Sequence, residues 1–153
     1  MGVIASRLDF DNAKSLIRKS ATDSSAIDEL SNLLKTRDII NMKSNGFSLL
    51  YTAIGNIIDI KTIKLLIASG ANVNMIGNDN LNATPLICAC CHKNSNIETV
   101  KLLLDAGVDV NWQDNDGHSA LHYIIIGTMQ LPHLIDAAKL LVEYGADVNL
   151  VDI

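Results

Sequence analysis

Apolar residues recur at helical spacing in several short segments of the chain, and polar turns separate these segments. Val100, Leu103 and Leu104 stand at i, i+3 and i+4, which predicts a short helix with one apolar face. Gly107 follows, where the end of a helix favours a residue with positive φ. Leucine pairs occupy the same place in each of the repeated segments: Leu33 and Leu34, Leu65 and Leu66, Leu102 and Leu103, and Leu140 and Leu141.

An asparagine closes the short extended piece that comes after each leucine segment. The asparagines are Asn41, Asn74, Asn111 and Asn149, so the steps between them are 33, 37 and 38 residues. Ser48, Thr84 and Ser119 then precede new apolar segments, where a hydroxyl favours the start of a helix. A period in this range is typical of stacked repeats, whose units cannot bury their apolar faces singly.

The pattern predicts eight short helices in four pairs. Each Val-Asn segment is too short to form more than a hairpin arm, so no extended sheet is expected. The predicted pairs are 11–19 and 25–35, 48–55 and 60–69, 84–92 and 97–106, and 119–126 and 133–144.

The repeated residues from about 37 to 151 resemble the ankyrin-repeat family. Near-complete copies of T-P-L-H-x-A and V-x-x-L-L-x-x-G-A-D-V-N carry the resemblance, although Arg37 replaces one stop glycine and the segments 92–96 and 128–132 carry inserted residues. The resemblance implies an all-α ankyrin-repeat solenoid of helix pairs joined by β-hairpin loops. It divides the chain into a degenerate capping pair (1–40), repeat one (41–74), repeat two (75–111), and repeat three with the truncated start of a fourth (112–153).

Composition narrows the class of protein. The net charge is −5 and no basic cluster exceeds Arg18 and Lys19, which argues against a nucleic-acid partner. No secretory segment is apparent, and the longest apolar run is far below the ~18 residues of a membrane span. The three cysteines do not form a disulfide framework. We therefore expect an intracellular, cytoplasmic protein. Its richness in isoleucine (19) and asparagine (15) resembles the ankyrin proteins of poxviruses or intracellular bacteria.

One cluster of side chains could carry chemistry. Cys88 and Cys91 stand at i, i+3, and Cys88 and His92 at i, i+4, so two or three of them could share a helix face; His118 and His122 follow one repeat later. A structural zinc ion needs about four ligands. The alternative is that the thiols are buried and pack as small apolar groups. The chain has no phosphate loop and no paired carboxylates in a coherent setting, so we expect no enzyme activity, no cofactor and no metal site.

Binding to another protein is the function that the resemblance implies. In the ankyrin fold, hairpin tips and inner helices form a concave surface that carries the binding side chains. Trp112 is either an aromatic anchor on this surface or a residue that packs against the neighbouring repeat. The predicted protein-binding residues are Asn45, Phe47, Asp79, Asn80, Trp112, Asn115, Asp116 and His118. The expected partner is a signalling protein, of a host cell if the chain is viral or bacterial.

Two further possibilities concern the ends of the chain. Residues 1–6 match the myristoylation pattern M-G-x-x-x-[ST], so a lipid on Gly2 would make the protein a membrane-peripheral adaptor. At the other end, no further repeat would cover the predicted helix 133–144. Because the ends of repeat stacks normally need a polar cap, this predicts self-association or fraying there.

Overall fold

The described part of the protein is built from α-helices. In a computed structural model, the described residues are 6–36, 38–56, 59–77, 80–91, 96–128 and 134–151. They contain no β-strand, and their extended backbone pairs only in an isolated bridge between Ser44 and Phe47. The predicted all-α class is therefore confirmed. The helices are α1 (Arg7–Ser20), α2 (Ser25–Thr36), α3 (Leu49–Gly55), α4 (Ile60–Ala68), α5 (Pro85–Cys91), α6 (Ile97–Asp105), α7 (Ala120–Thr128) and α8 (Leu134–Glu143).

The helices belong to two compact units. The N-terminal unit spans Met1–Asn72 and the C-terminal unit spans Val73–Ile153. In the N-terminal unit, α1 packs against α2 and α3, and α3 packs against α4. In the C-terminal unit, α5 packs against α6 and α7, while α8 packs against α6 and α7. Each unit is thus made of helix pairs that pack on one another. The predicted repeat boundaries within these units remain predictions.

Aliphatic side chains form the core of both units. Phe10 is the aromatic residue among the large, fully buried side chains of the described chain. In the later segments, one member of each leucine pair is fully buried and the other is half-buried. These buried members are Leu66, Leu103 and Leu141.

The stop glycines end their helices in the predicted way. Gly70, Gly107 and Gly145 have φ values of 87°, 79° and 90°. In each case the next residue's N–H reaches back to a helical carbonyl, as when Ala146 N donates to Leu141 O at 2.9 Å. A Cβ atom added at any of the three glycines would meet nothing within 4 Å. Glycine is therefore needed for its backbone conformation and not for space.

Helix α1 begins at Arg7 and not near residue 11 as predicted. The reason is a reciprocal cap that the apolar pattern does not reveal. The Ser6 hydroxyl accepts a hydrogen bond from Asp9 N at 3.2 Å, and the Asp9 carboxylate accepts one from Ser6 N at 2.9 Å. Together the two bonds satisfy donors that an uncapped helix start would leave open.

Candidate functional site

Two of the recurring asparagines, Asn41 and Asn111, hold the glycine turn that follows one repeat later. In the N-terminal unit, Asn41 Nδ2 donates to Gly70 O at 3.1 Å, and Asn72 N donates to Asn41 Oδ1 at 2.7 Å. In the C-terminal unit, Asn111 makes the same pair of bonds, to Gly145 O at 3.1 Å and from Asp147 N at 2.8 Å. Their side chains therefore fix loop geometry and are not free to read a partner.

The third hairpin tip, residues 112–118, is organised around the buried side chain of Asp114. Asp114 Oδ1 accepts hydrogen bonds from Asp116 N at 3.0 Å and His118 N at 2.9 Å. Asp114 Oδ2 accepts a third from the Tyr123 hydroxyl at 2.7 Å. Burial and the bond to Asp114 raise the pKa of Tyr123. The sequence prediction missed both Asp114 and Tyr123. For Asp114 the sequence did contain a signal, because an aspartate shortly before a glycine such as Gly117 is typical of a turn.

Asn115, one of the predicted binding residues, ties the second hairpin tip to the third. Its backbone N–H donates to Leu81 O at 2.9 Å. Its side chain donates to Asn80 O at 2.8 Å and accepts from Asn82 Nδ2 at 3.0 Å. Three bonds between the tips hold the two loops at fixed separation. Asn115 is thus largely engaged within the protein.

Trp112 packs against the neighbouring hairpin, which is one of the two roles considered for it. The indole Nε1 donates a hydrogen bond to Asn82 O at 3.2 Å, so the ring contacts the neighbouring hairpin. The residue nevertheless keeps 37% of its surface exposed. A partner could therefore contact the remaining face of the ring, although the role of Trp112 as an anchor remains a prediction.

The other predicted residues differ in their surroundings. Asp116 and Asn80 are exposed, and His118 is half-buried with its ring centroid 5.5 Å from that of Tyr123. In the N-terminal unit, Asn45 is exposed at φ 53°, while Phe47 is half-buried with its ring centroid 5.1 Å from that of Tyr51. Asp79 and Gly2 lie outside the described residues.

Asp114, Asp116 and His118 offer ligand atoms that lie within 4.8 Å of one another. A metal ion would have to compete for a carboxylate of Asp114 that already accepts three hydrogen bonds. His122, which the sequence offered only as a candidate for a second ligand cluster, is also engaged. His122 Nδ1 lies 2.9 Å from Ser119 Oγ, and its Nε2 lies 3.1 Å from Leu150 O. The side chains of Asp114 and His122 therefore stabilise the loops.

The cysteine run of α5 is mostly buried. Cys88 and Cys90 are buried, whereas Cys91 is exposed and donates from Sγ to Cys88 O at 3.3 Å. Burial, and secondarily the neighbouring Cys91 thiol, raise the pKa of Cys90, which disfavours the reactive thiolate. This favours the interpretation that Cys88 and Cys90 pack as small apolar groups. His92, the third residue of the candidate cluster, lies outside the described residues.

None of the helices in the described ranges is long and apolar enough to cross a membrane. Ser6, which completes the myristoylation pattern, serves as the N-cap of α1. A serine at this position therefore has a structural reason that is independent of any lipid on Gly2.

A family model described as ankyrin repeats (3 copies) matches residues 50–152, which is more than half of the chain. No curated protein matches the chain significantly.

Proposed function

The chain belongs to the ankyrin-repeat family, and from this premise we propose that it binds a signalling protein through the hairpin tips of its C-terminal unit. Ankyrin repeats are in general non-catalytic protein–protein interaction modules. The proposed partner belongs to a host cell, and the chain to a virus or an intracellular bacterium. The abundance of isoleucine and asparagine in the repeats supports this origin.

The observation that carries the proposal is the way the second and third tips are held. Asn115 links the tips to each other, and the Asp114 carboxylate fixes the turn from within. Asp116 lies on the same tip as Asp114 and Asn115. It is exposed, and its carboxylate accepts no hydrogen bond from the described residues. A loop that is already rigid loses little conformational entropy on binding, so its outward side chains contribute more of their interaction energy to affinity.

The exposed groups at these tips favour a partner with a basic patch. Asp116 supplies a negative charge, Asn80 an amide and Trp112 a partly exposed ring. The ring can cover an apolar or cationic group of the partner. Because the whole chain carries a net charge of −5, long-range attraction would also accelerate encounter with a basic surface.

Binding isotherms and association rates of tip variants test this proposal, against a partner identified by cross-linking in host cells. We expect Asp116→Lys to slow association severalfold, with unfolding free energy changed by less than about 0.5 kcal/mol. Glu143→Lys is the matched control, because Glu143 is exposed in the same unit but lies at the end of α8. Leu103→Ala is the core control and should cost about 2–5 kcal/mol of stability, since Leu103 is fully buried. Equal binding by Asp116→Lys, Glu143→Lys and the parent would contradict the proposal.

The alternative function, a membrane-peripheral adaptor lipidated at Gly2, rests on the match of residues 1–6 to the myristoylation pattern. One myristoyl chain gives only marginal, reversible membrane affinity, so this adaptor would need a second membrane signal. Intact mass after expression in eukaryotic cells distinguishes the two functions. A myristoyl mass increment that disappears in Gly2→Ala would support the adaptor.

A further inference from the structure

A small cleft opens between the start of α1 and the first hairpin, both in the N-terminal unit. Its lining residues are Arg7, Phe10, Met42, Lys43, Ser44 and Asn45, and its volume is about 200 Å³. Pockets for drug-sized ligands span ~300–1,000 Å³, so this cleft has room for one side chain of a partner. Phe10 and Met42 give it an apolar wall.

The charge of the cleft is opposite to that of the whole chain. Its two ionisable lining residues, Arg7 and Lys43, are both cations, and neither pairs with a carboxylate in the described ranges. Lys14 adds a third cation nearby, with its Nζ 5.9 Å from the centre of the Phe10 ring. The nearest acid along α1, Asp9, is engaged in the helix cap. A positive cleft thus stands on a chain whose net charge is −5.

Ser44 gives a second, independent indication of a ligand. The residue is only 8% exposed, and its backbone forms the bridge to Phe47 with N–O distances of 3.1 and 3.3 Å. Its hydroxyl, by contrast, has no hydrogen-bond partner among the residues that the structure describes. A buried hydroxyl without a partner is unfavourable, and an acceptor oxygen brought into the cleft would remove that penalty.

We propose that this cleft binds the carboxylate of a glutamate or aspartate in an acidic segment of the protein partner. Arg7 and Lys43 pair with the carboxylate, the Ser44 hydroxyl donates to it, and the half-buried Met42 contacts the adjoining apolar atoms. This inference rests on the proposed function, because it names a second contact with the same partner. It places that contact in the N-terminal unit, separate from the tips of the C-terminal unit.

Titration of the ¹⁵N-labelled full chain with a short blocked peptide of alternating glutamate and leucine tests the inference. We expect amide shifts at residues 42–45, and no such shifts with a twin peptide that carries glutamine for glutamate. Arg7→Gln and Lys43→Gln should each weaken binding by about two- to fivefold. Lys61→Gln, which removes the same charge from an exposed position on α4 outside the cleft, should leave binding unchanged.

Ser44→Ala separates a ligand-binding serine from a structural one. Removal of an unpartnered hydroxyl should raise the melting temperature of the free protein and lower its affinity for the glutamate peptide. A lower melting temperature with unchanged peptide affinity would contradict the role given to Ser44.

Three outcomes would overturn the carboxylate assignment. They are equal binding of the two peptides, shifts that avoid residues 42–45, and a phosphoserine peptide that binds these residues at least about tenfold tighter than the glutamate peptide. The last would assign the cleft to a phosphorylated side chain. If the peptide does not bind in the cleft but Asp116→Lys still slows association with the cross-linked partner, the proposed function stands without the cleft. If only the cleft variants affect that partner, the tips are not the interface.

Discussion

Asn111→Ala provides the sharpest test of how the repeats are held together. The substitution removes two hydrogen bonds, one to Gly145 O at 3.1 Å and one from Asp147 N at 2.8 Å. Asn149 occupies the equivalent place after the next glycine turn, yet its described hydrogen bonds go only to Asp147 within its own turn. Asn149→Ala is therefore a matched control, because it changes the equivalent position without removing a described contact to another repeat.

The expected magnitude follows from the exposure of the partners. A neutral intramolecular hydrogen bond contributes roughly 0.5–1.5 kcal/mol net, so two such bonds contribute roughly 1–3 kcal/mol. Gly145 and Asp147 are both exposed, and water can replace the lost partner without leaving a buried group unsatisfied. The lower part of the range applies, about 1–2 kcal/mol. Asn149→Ala should stay within about 0.5 kcal/mol.

Urea unfolding followed by circular dichroism measures both variants. Because repeat proteins can unfold in steps, hydrogen exchange at the amides of Ala146 and Asp147 should accompany the unfolding curves. We expect faster exchange at these amides in Asn111→Ala and unchanged exchange in the N-terminal unit. The reasoning is refuted if Asn111→Ala costs no more than Asn149→Ala, or if the exchange rates at the glycine turn do not change.

Two further predictions concern the turn and the tip. Gly107→Ala should destabilise the protein by about 1–2 kcal/mol although the added methyl meets no atom, because φ is 79°; Gly107→Asn should cost less in the same unfolding assay. Tyr123→Phe should cost roughly 1.5–3 kcal/mol by removing the bond to the Asp114 carboxylate. Folding raises the pKa of Tyr123. The stabilisation that the Tyr123 hydroxyl gives to the folded protein is therefore fully present below the pKa of the unfolded chain, about 10, and is lost as the pH rises through the higher pKa of the folded state. Unfolding curves across that range should therefore converge for parent and Tyr123→Phe, and parallel pH profiles would contradict this.

The helices and their ends were largely predictable because their determinants are local in sequence. The apolar spacing around Leu103 and the glycine at Gly107 act within one or two turns of a helix, and a single sequence displays both. The start of α1 was predictable in principle from Ser6 and Asp9, a serine–aspartate pair at cap spacing. The apolar pattern alone does not display this cap, because the first turn of α1 pairs an exposed Leu8 with a buried Phe10 and so shows no regular apolar face.

The candidate surfaces were less predictable because their contacts join residues far apart in the chain. Asn115 bonds to Asn80 across 35 positions, and Arg7 shares a cleft with Lys43 across a similar distance. Periodicity assigns a residue to a hairpin tip but does not show which tip side chains pair with each other. The tip position of Asn115 therefore predicts an outward-facing residue, whereas its hydrogen bonds show that it supports the loop.

The distinction between supporting and outward-facing tip residues determines how a mutational scan should be interpreted. Trp112 and Asn115 each hold the neighbouring hairpin, so their alanine variants should lose loop geometry together with any direct contact to a partner. Asp116 lies on the same tip, but its exposed carboxylate holds no loop. Loss of affinity with unchanged stability can therefore be assigned to direct contact only for a residue such as Asp116. For Trp112 and Asn115, the change in unfolding free energy must be measured first, because a displaced tip would weaken binding even if neither side chain touched the partner.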